Sequence, residues 1–271
     1  GSSNMKRQTI LILFCVMATV ATSCRTTRHS WSAAEDAFGD LDGALVLIDC
    51  SSGQAKIYRP ETAATRLPPC STFKIVNALI GIEEGIVTSP QQSFYQWDGV
   101  ERSIPAWNRD LSFREAFQAS CVPAFQQLAR QIGTDRMQKW IKKTGYGNQD
   151  ISAGIDVFWL PSKEHQTILI SPMEQAELMR RIISGNMPFT PASLATLKEL
   201  MLVKETDRGS LYGKTGSGTD DAGTFVLGWF VGHVEHKGTT YAFACLAQGK
   251  NVMSQQAKAI IERVLQREGL L

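Results

Sequence analysis

Residues 224–246 read TFVLGWFVGHVEHKGTTYAFACL, two runs of β-branched and aromatic residues on either side of a short turn at His236-Lys237-Gly238. Such residues favour strands, and a glycine-containing turn between two strand patterns is typical of a β-hairpin. A helical pattern follows from about Ser254 to Arg267. The sequence therefore predicts that the last part of the chain forms strands closed by a helix.

A second hairpin is predicted near the start, where Leu45 to Asp49 and Ala55 to Tyr58 are separated by a serine- and glycine-containing turn. Between the two strand regions the apolar spacing is mostly helical, and residues 145–171 are predicted to form a long loop. The predicted helices there are residues 71–84, 111–119, 122–132, 135–143, 172–184 and 191–202.

This order predicts an α/β fold of the mixed α+β kind. One antiparallel sheet would be built from both chain ends with flanking helices, and an all-helical lobe would be inserted between them. We place the sheet lobe at about residues 30–70 and 204–271 and the helical lobe at about residues 71–203. The two lobes are expected to meet at a cleft.

The composition is that of an ordinary globular protein, with 271 residues, 43% hydrophobic residues, 20% charged residues and a net charge of +2. Disorder, collagen and coiled coil are excluded on these numbers. The near balance of charge argues against nucleic-acid binding. The six cysteines are too few for a disulfide-dense scaffold.

The beginning of the chain is predicted to be a targeting segment that is not part of the fold. Residues 1–4 are interpreted as a cloning scar, and residues 5–23 as a signal peptide with a basic start and a short apolar stretch. Small residues lead to Cys24, as in a bacterial lipobox, although ordinary signal cleavage nearby is the alternative. We expect residues 24–271 to be one exported, periplasmic domain, tethered to the membrane only through a lipid on Cys24.

The strongest candidate for chemistry is Ser71-Thr72-Phe73-Lys74, which opens a predicted helix. A serine hydroxyl needs a base beside it, and residues three apart project from one helix face. Free N–H groups at a helix start can also stabilise an oxyanion. The spacing alone is weak, because it also occurs at residues 3–6, where it has no meaning.

Two further motifs accompany it. Lys214-Thr215-Gly216-Ser217 lies between strand patterns, where Lys and Thr side chains could meet an anionic substrate. Lys143-Thr144-Gly145 has the same letters but lies where a helix is predicted to end, so we interpret it as a helix C-cap. Ser120-Cys121-Val122 lies between two predicted helices, where a hydroxyl could relay a proton or simply cap a helix.

Taken together and in this order, Ser-x-x-Lys, Ser-x-Val and Lys-Thr-Gly resemble the penicillin-recognising serine acyl-enzymes, and within them the class D β-lactamases, or oxacillinases. The similarity covers about residues 43–271. A class A enzyme would have Ser-Asp-Asn in place of Ser120-Cys121-Val122. Further matching runs are PCSTFKIVNALIG at residues 69–81, WDGV at 97–100, YGN at 146–148, FWL at 158–160 and GWFVG at 228–232.

The resemblance implies hydrolysis of a small-molecule β-lactam, with Lys74 carboxylated by CO2 or bicarbonate and no other cofactor or metal. Carboxylation needs a neutral amine, whereas a free lysine has a pKa of about 10.4, so apolar surroundings must lower it. The carbamate would then need donors, for which the Trp159 indole and the Ser71 hydroxyl are expected. The apolar neighbours expected around Lys74 are Phe73, Val122, Trp159 and Leu160.

The implied mechanism uses four residues. Carboxylated Lys74 takes the proton from Ser71, which attacks the lactam carbonyl, and the same base later activates water. Ser120 passes a proton to the leaving nitrogen while Lys214 keeps the local potential positive.

Thr215, Gly216 and Ser217 are expected to bind the substrate, with the backbone N–H groups of Ser71 and Ser217 as oxyanion donors. Many oxacillinases also grip the substrate carboxylate with an arginine on the last helix. The matching position here is Ala257, so this recognition is expected to depend on Lys214, Thr215 and Ser217.

Several alternatives stay open at this point. A β-lactam-sensing domain or a penicillin-binding protein would form the same acyl group without turning it over. His233 and His236 would point to opposite faces of a strand, so we interpret them as surface histidines and not as metal ligands. We expect Cys50, Cys70, Cys121 and Cys245 to be small buried residues in preference to a disulfide. Either a monomer or a homodimer is compatible with the sequence.

Overall fold

The computed structural model describes residues 30–271, and its main sheet combines strands from both ends of that stretch. The strands are β1 (Asp42–Asp49), β2 (Ala55–Tyr58), β3 (Ser93–Tyr95), β4 (Leu111–Ser112), β5 (Leu202–Glu205), β6 (Ser210–Thr219), β7 (Phe225–His236) and β8 (Thr239–Gln248). The main sheet has the order β2-β1-β8-β7-β6-β5, with every neighbouring pair antiparallel. β3 and β4 form a separate small sheet.

The β1–β8 pair joins the two ends of the described chain, with Leu45 opposite Cys245. Strands β6, β7 and β8 then follow one another as hairpins, since β6 pairs with β7 and β7 with β8. The prediction of one mixed α+β fold with an antiparallel sheet from both chain ends is confirmed.

Helices surround this sheet. They are α1 (Ser32–Phe38), α2 (Pro60–Ala63), α3 (Lys74–Glu83), α4 (Phe113–Gln118), α5 (Val122–Ile132), α6 (Thr134–Thr144), α7 (Pro172–Ile183), α8 (Pro191–Met201) and α9 (Ser254–Arg267). The period-two pattern of the strands divides their side chains between two cores. On β7, Trp229 and Val231 face the core shared with α3–α8, whereas Phe230 and Val234 face the core under α1 and α9. Both faces of the sheet are therefore covered.

The structure departs from the predicted elements in a few places. Residues 71–84 begin with a 3₁₀ turn at Cys70–Phe73 before α3 starts. The predicted helix at 111–119 begins as strand β4, and Ser112 then caps α4 in a capping box with Glu115. Elements α1, α2, β3 and β5 were not predicted. Strand β5 is a short edge strand whose four residues are all exposed, so it has no apolar alternation to reveal it.

Gly145 ends α6 in the left-handed conformation, with φ 63°, which confirms the C-cap interpretation of the first Lys-Thr-Gly. No helix within residues 30–271 is long and apolar enough to cross a membrane. The expectations for the cloning scar, the signal peptide and Cys24 lie outside the described residues. Trp31–Leu271 form one compact unit.

Candidate active site

Ser71 lies in the 3₁₀ turn that leads into α3. The Lys74 Nζ atom donates a hydrogen bond to the Ser71 Oγ atom over 2.9 Å. Cys70, directly before the serine, has φ 53°, a backbone conformation that residues other than glycine rarely adopt. Before it, the Pro68 carbonyl accepts a hydrogen bond of 2.9 Å from the Trp229 indole on the sheet. The turn therefore fixes Ser71 and Lys74 as a contacting pair.

Lys74 is completely buried, with an exposed fraction of 0%. Its Nζ atom lies 5.5 Å from the centre of the Phe125 ring. Burial lowers the pKa of Lys74 to about 7, partly opposed by the nearby thiols of Cys121 and Cys70. Near neutral pH the amine is therefore close to half neutral, as carboxylation requires.

The sequence did not single out Phe125. It follows Val122 by three residues on α5, so helical spacing from the Ser-x-Val motif could have pointed to it. The four cysteines of residues 30–271 are free thiols, of which Cys70, Cys121 and Cys245 are buried and Cys50 is half-buried.

Ser120 lies between α4 and α5 with φ 51°, a second left-handed residue beside the site. Its hydroxyl accepts a hydrogen bond of 3.1 Å from the Lys214 Nζ atom on β6. The Trp107 indole donates to the carbonyl of Ala119 over 2.8 Å, which holds in place the residue directly before Ser120. A helix junction and a strand therefore bring together the second serine–lysine pair.

Lys214 is also buried, with 5% exposed. Its Nζ atom donates to the Thr215 carbonyl over 2.9 Å and lies 3.4 Å from the Thr215 hydroxyl. Burial, and then the neighbouring positive charge of Lys74, lower the pKa of Lys214 well below its usual value. The charge on Lys74 therefore disfavours the charged form of Lys214.

Strand β6 passes directly beside the Ser71 turn. At Gly216 an added Cβ would lie 3.2 Å from the Ser71 backbone nitrogen and 3.1 Å from the Pro69 oxygen, so a side chain there would push the strand and the turn apart by a few tenths of an ångström. Ser217, the next residue, is half-buried, and its Oγ atom accepts a hydrogen bond of 3.0 Å from the Ser254 backbone N–H at the start of α9. Thr215 is half-buried as well.

An aromatic cluster forms the inner wall beside the Ser71 turn. The Phe73 ring contacts Trp159, Phe158 and Tyr146, with ring centres 5.5, 4.9 and 5.4 Å apart. Trp159 is completely buried, and its indole nitrogen has no hydrogen-bond partner among residues 30–271. Buried donors normally have a partner, so this indole N–H is free to bind a further acceptor.

The remaining predicted residues lie as follows. Val122 is the first residue of α5, and both Val122 and Leu160 are half-buried. Ala257, which stands where many oxacillinases have an arginine, is fully buried in the core under α9.

The interpretation of His233 as a surface residue is wrong. His233 is 2% exposed and stacks on Tyr212, with ring centres 4.5 Å apart and planes 7° apart. It lies on the inner strand β7, where helices cover both sheet faces, so a polar residue there is enclosed. Burial lowers its pKa to about 3. His236, at the end of β7, is only half-buried, and its Nδ1 atom lies 2.8 Å from the Arg208 carbonyl oxygen.

Comparison with known proteins agrees with this geometry. Residues 43–266 match the penicillin binding protein transpeptidase domain family. The probable beta-lactamase YbxI of Bacillus subtilis is 38% identical over 237 residues, which cover 88% of this chain and 85% of that protein.

Solved structures give the same result. The crystal structure of a class D beta-lactamase from Bacillus subtilis superposes with a TM-score of 0.81 at 37% identity, covering 88% of this chain and 96% of that one. The C-terminal domain of the Bacillus licheniformis BlaR penicillin receptor superposes with a TM-score of 0.81 at 29% identity, covering 88% and 95%. With its serine–lysine pair at Ser71 and Lys74, the chain belongs to the class D serine β-lactamases, within the penicillin-binding protein transpeptidase family.

Proposed function

We propose that this protein hydrolyses β-lactams through an acyl-enzyme on Ser71, with Lys74 carboxylated by CO2 as the general base. The observation that carries the proposal is the fully buried Lys74 Nζ atom, 2.9 Å from the Ser71 Oγ atom. A base in contact with the hydroxyl is what a serine nucleophile requires. The lowered pKa of Lys74, about 7, supports its reaction with CO2 as a neutral amine.

The residues present fit a carbamate on Lys74. Such a group carries a negative charge, and a buried charge needs hydrogen-bond donors. The unpartnered indole N–H of Trp159 and the Ser71 hydroxyl are the donors we assign to it. When present, the carbamate supplies an oxygen base for removing the Ser71 proton and, later, a proton from water.

The other steps depend on the residues of the chain itself. In acylation the Ser71 oxygen bonds to the lactam carbonyl carbon, and the carbonyl oxygen becomes negative. We assign the Ser71 and Ser217 N–H groups to that oxygen, because β6 approaches the Ser71 turn so closely at Gly216. The bond from the carbonyl carbon to the lactam nitrogen then breaks, and the nitrogen needs a proton.

Ser120 is the donor that we assign to the leaving nitrogen. Its hydroxyl contacts the Lys214 Nζ atom, which can replace the proton that Ser120 gives up. Lys214 also lies beside Thr215, so its positive charge and the Thr215 and Ser217 hydroxyls favour a substrate carboxylate. Hydrolysis of the ester at Ser71 then releases the ring-opened product.

The test is hydrolysis of a chromogenic cephalosporin with and without added bicarbonate, with Ser71→Ala as the control. We expect multiple turnovers that bicarbonate accelerates and that the variant loses. In 13C-labelled bicarbonate, NMR should show a carbamate resonance that Lys74→Met removes. Slow turnover with no carbamate resonance would contradict the proposal.

A second candidate function is β-lactam sensing, favoured by the superposition on the BlaR penicillin-receptor domain. A sensor would be acylated on the same serine and would keep the acyl group. Mass spectrometry after a single addition of a penicillin separates the two functions. A β-lactamase returns to its free mass within the assay, whereas a sensor stays at the acylated mass.

We also propose export of the chain through residues 5–23 and lipid attachment at Cys24. The basic start, the short apolar stretch and the small residues before Cys24 support this. Mass spectrometry of the membrane fraction tests it, since a diacylglycerol-modified Cys24 is expected at the mature N-terminus. An unmodified N-terminus elsewhere would contradict lipid attachment.

A further inference from the structure

A buried chain of hydrogen bonds connects α7 to the Ser71 turn. The Gln175 Nε2 atom donates to the Thr72 Oγ1 atom over 2.9 Å, and the Thr72 hydroxyl donates to the Pro69 carbonyl over 2.6 Å. Gln175 is 3% exposed and Thr72 is 1% exposed. Because Pro69 and Thr72 lie on either side of Ser71, this chain closes around the nucleophile without touching its hydroxyl.

The turn held in this way is strained. Cys70 lies inside it with φ 53°, a left-handed conformation that is unfavourable for a residue other than glycine. Strained residues of this kind persist only where the surroundings fix them. Besides the Thr72 hydroxyl, the Pro69 carbonyl accepts only the weaker 3.2 Å bond from the Thr72 backbone N–H among residues 30–271.

The donor end of the chain is firmly anchored. Ser171 and Glu174 form a capping box at the start of α7. Gln175 directly follows Glu174, so it lies in the helical turn that this capping box stabilises. Arg66 pairs with Glu174 over 2.6 Å, and Leu67 and Ile170 exchange two backbone hydrogen bonds of 3.0 and 2.9 Å. The segment before Ser71 is thus tied to the start of α7 through two successive residues, Arg66 and Leu67.

We propose that Gln175 is a positioning residue for Ser71, acting through the Thr72 hydroxyl. Gln175 polarises the Thr72 hydroxyl toward Pro69 and so keeps the turn in its strained conformation. Without the amide, Thr72 can rotate or bond elsewhere, and Ser71 moves relative to Lys74 and the oxyanion donors. The kinetic consequence rests on the proposed function, since it is read from acylation of Ser71.

The first experiment compares Gln175→Leu with the native protein in acylation by a penicillin. Loss of geometry at the reacting serine should lower the saturating acylation rate about 10- to 100-fold. The dissociation constant of the unreacted complex should stay within about twofold, because Gln175 does not contact the β-lactam pocket residues. A general loosening of the fold would weaken binding as well, and that outcome would overturn the proposal.

The control is Gln127→Leu, which removes a half-buried glutamine amide on α5 that donates to the Phe94 carbonyl over 3.2 Å. Hydrogen exchange gives a readout that needs no β-lactam. We expect residues 66–75 to exchange faster in Gln175→Leu and to be unchanged in the control. Equal exchange of that segment in both variants would overturn the proposal, even if the native protein proved to have a different substrate.

A double-mutant cycle with Thr72→Val tests whether Gln175 acts through Thr72. If it does, Gln175→Leu should have almost no further effect on the acylation rate once the Thr72 hydroxyl is gone. If the two losses instead multiply, the residues act independently and the assigned route is wrong. Thermal unfolding of all variants checks that the comparison is made on folded protein.

Discussion

The two buried lysines of the site, Lys74 and Lys214, contact two serines in nearly the same way. Each Nζ atom donates to a serine hydroxyl, Ser71 at 2.9 Å and Ser120 at 3.1 Å. Lys214 has further acceptors in the Thr215 carbonyl and hydroxyl, at 2.9 and 3.4 Å. Lys74 contacts no other oxygen acceptor within residues 30–271.

This difference suits the two lysines to opposite roles. An ammonium has three protons to donate, and three oxygens lie around Lys214. Around Lys74 are an aromatic ring and two buried thiols, Phe125, Cys70 and Cys121, which offset the cost of burying a positive charge only in part. Burial disfavours the charge on both lysines. Only at Lys74, where a single oxygen acceptor lies near the Nζ atom, do the surroundings also suit a neutral amine better than an ammonium. Two lysines of one site can therefore act differently because the groups around their Nζ atoms differ.

The largest effect is expected from replacing the lysine beside the nucleophile. Lys74→Met keeps an unbranched buried side chain but removes the base, so kcat/KM for a penicillin should fall about 10⁴-fold. Stopped-flow acylation and steady-state hydrolysis measure both half-reactions. Lys204→Met, a surface lysine, is the control. A fall confined to deacylation would mean that another group activates Ser71.

Replacing the second lysine should have a smaller effect. Lys214→Met removes a positive charge that we assign to the substrate carboxylate and to the proton supply of Ser120, so kcat/KM should fall about 10²- to 10³-fold. Carbamate formation at Lys74, read by 13C NMR, should persist. If the carbamate resonance also disappeared, the separate roles drawn for the two lysines would be wrong.

The CO2 requirement should depend steeply on pH. Carbamate formation consumes a neutral amine and releases one proton, so the half-activating concentration of dissolved CO2 should rise about tenfold per pH unit lost. Below the Lys74 pKa of about 7 the amine is itself protonated, which makes the rise about 100-fold per unit. Activity titrations with CO2 from pH 5.5 to 8.5 measure this change of slope. A constant slope would contradict a lysine that titrates near 7.

Removing the free indole donor should cost less. Trp159→Phe keeps the aromatic packing on Phe73 but removes one hydrogen bond to the proposed carbamate, so the half-activating CO2 concentration should rise about tenfold. Trp140→Phe is the matched control, because its indole already donates to Glu84 over 2.7 Å. Equal CO2 dependence in both variants would remove Trp159 from the carbamate site.

The smallest effect concerns stability in CO2-free buffer. The Lys74 pKa of about 7 in the folded protein lies below its unfolded value of about 10.4, so burial of the lysine costs most below pH 7. The cost declines as pH rises from about 7 and is absent above about 10.4. Lys74→Met should therefore raise the melting temperature by about 5–10 °C at pH 6 and by progressively less toward pH 10. A gain independent of pH would show that packing, not charge burial, is responsible.

Sequence patterns were sufficient to predict the elements that are long and well buried. The apolar runs of β7 and β8 and the helical spacing of α5 and α9 are visible in the sequence, because a strand covered on both faces is apolar at most positions and a helix covered on one face repeats every 3.6 residues. Edge strand β5 and the burial of His233 were missed for the opposite reason. Exposed residues carry no periodic signal, and enclosure of one histidine depends on which helices lie above its strand.

The order of Ser71, Lys74, Ser120 and Lys214 along the chain was sufficient to indicate the family, since motif letters are a property of the sequence alone. Their function as two serine–lysine pairs is decided by distances across a helix start, a helix junction and a strand. Phe125, the free indole of Trp159 and the Gln175–Thr72 contact likewise come from segments remote along the chain. Burial and hydrogen-bond partners are set by the folded surroundings, and these determine whether a lysine is a cation or a base.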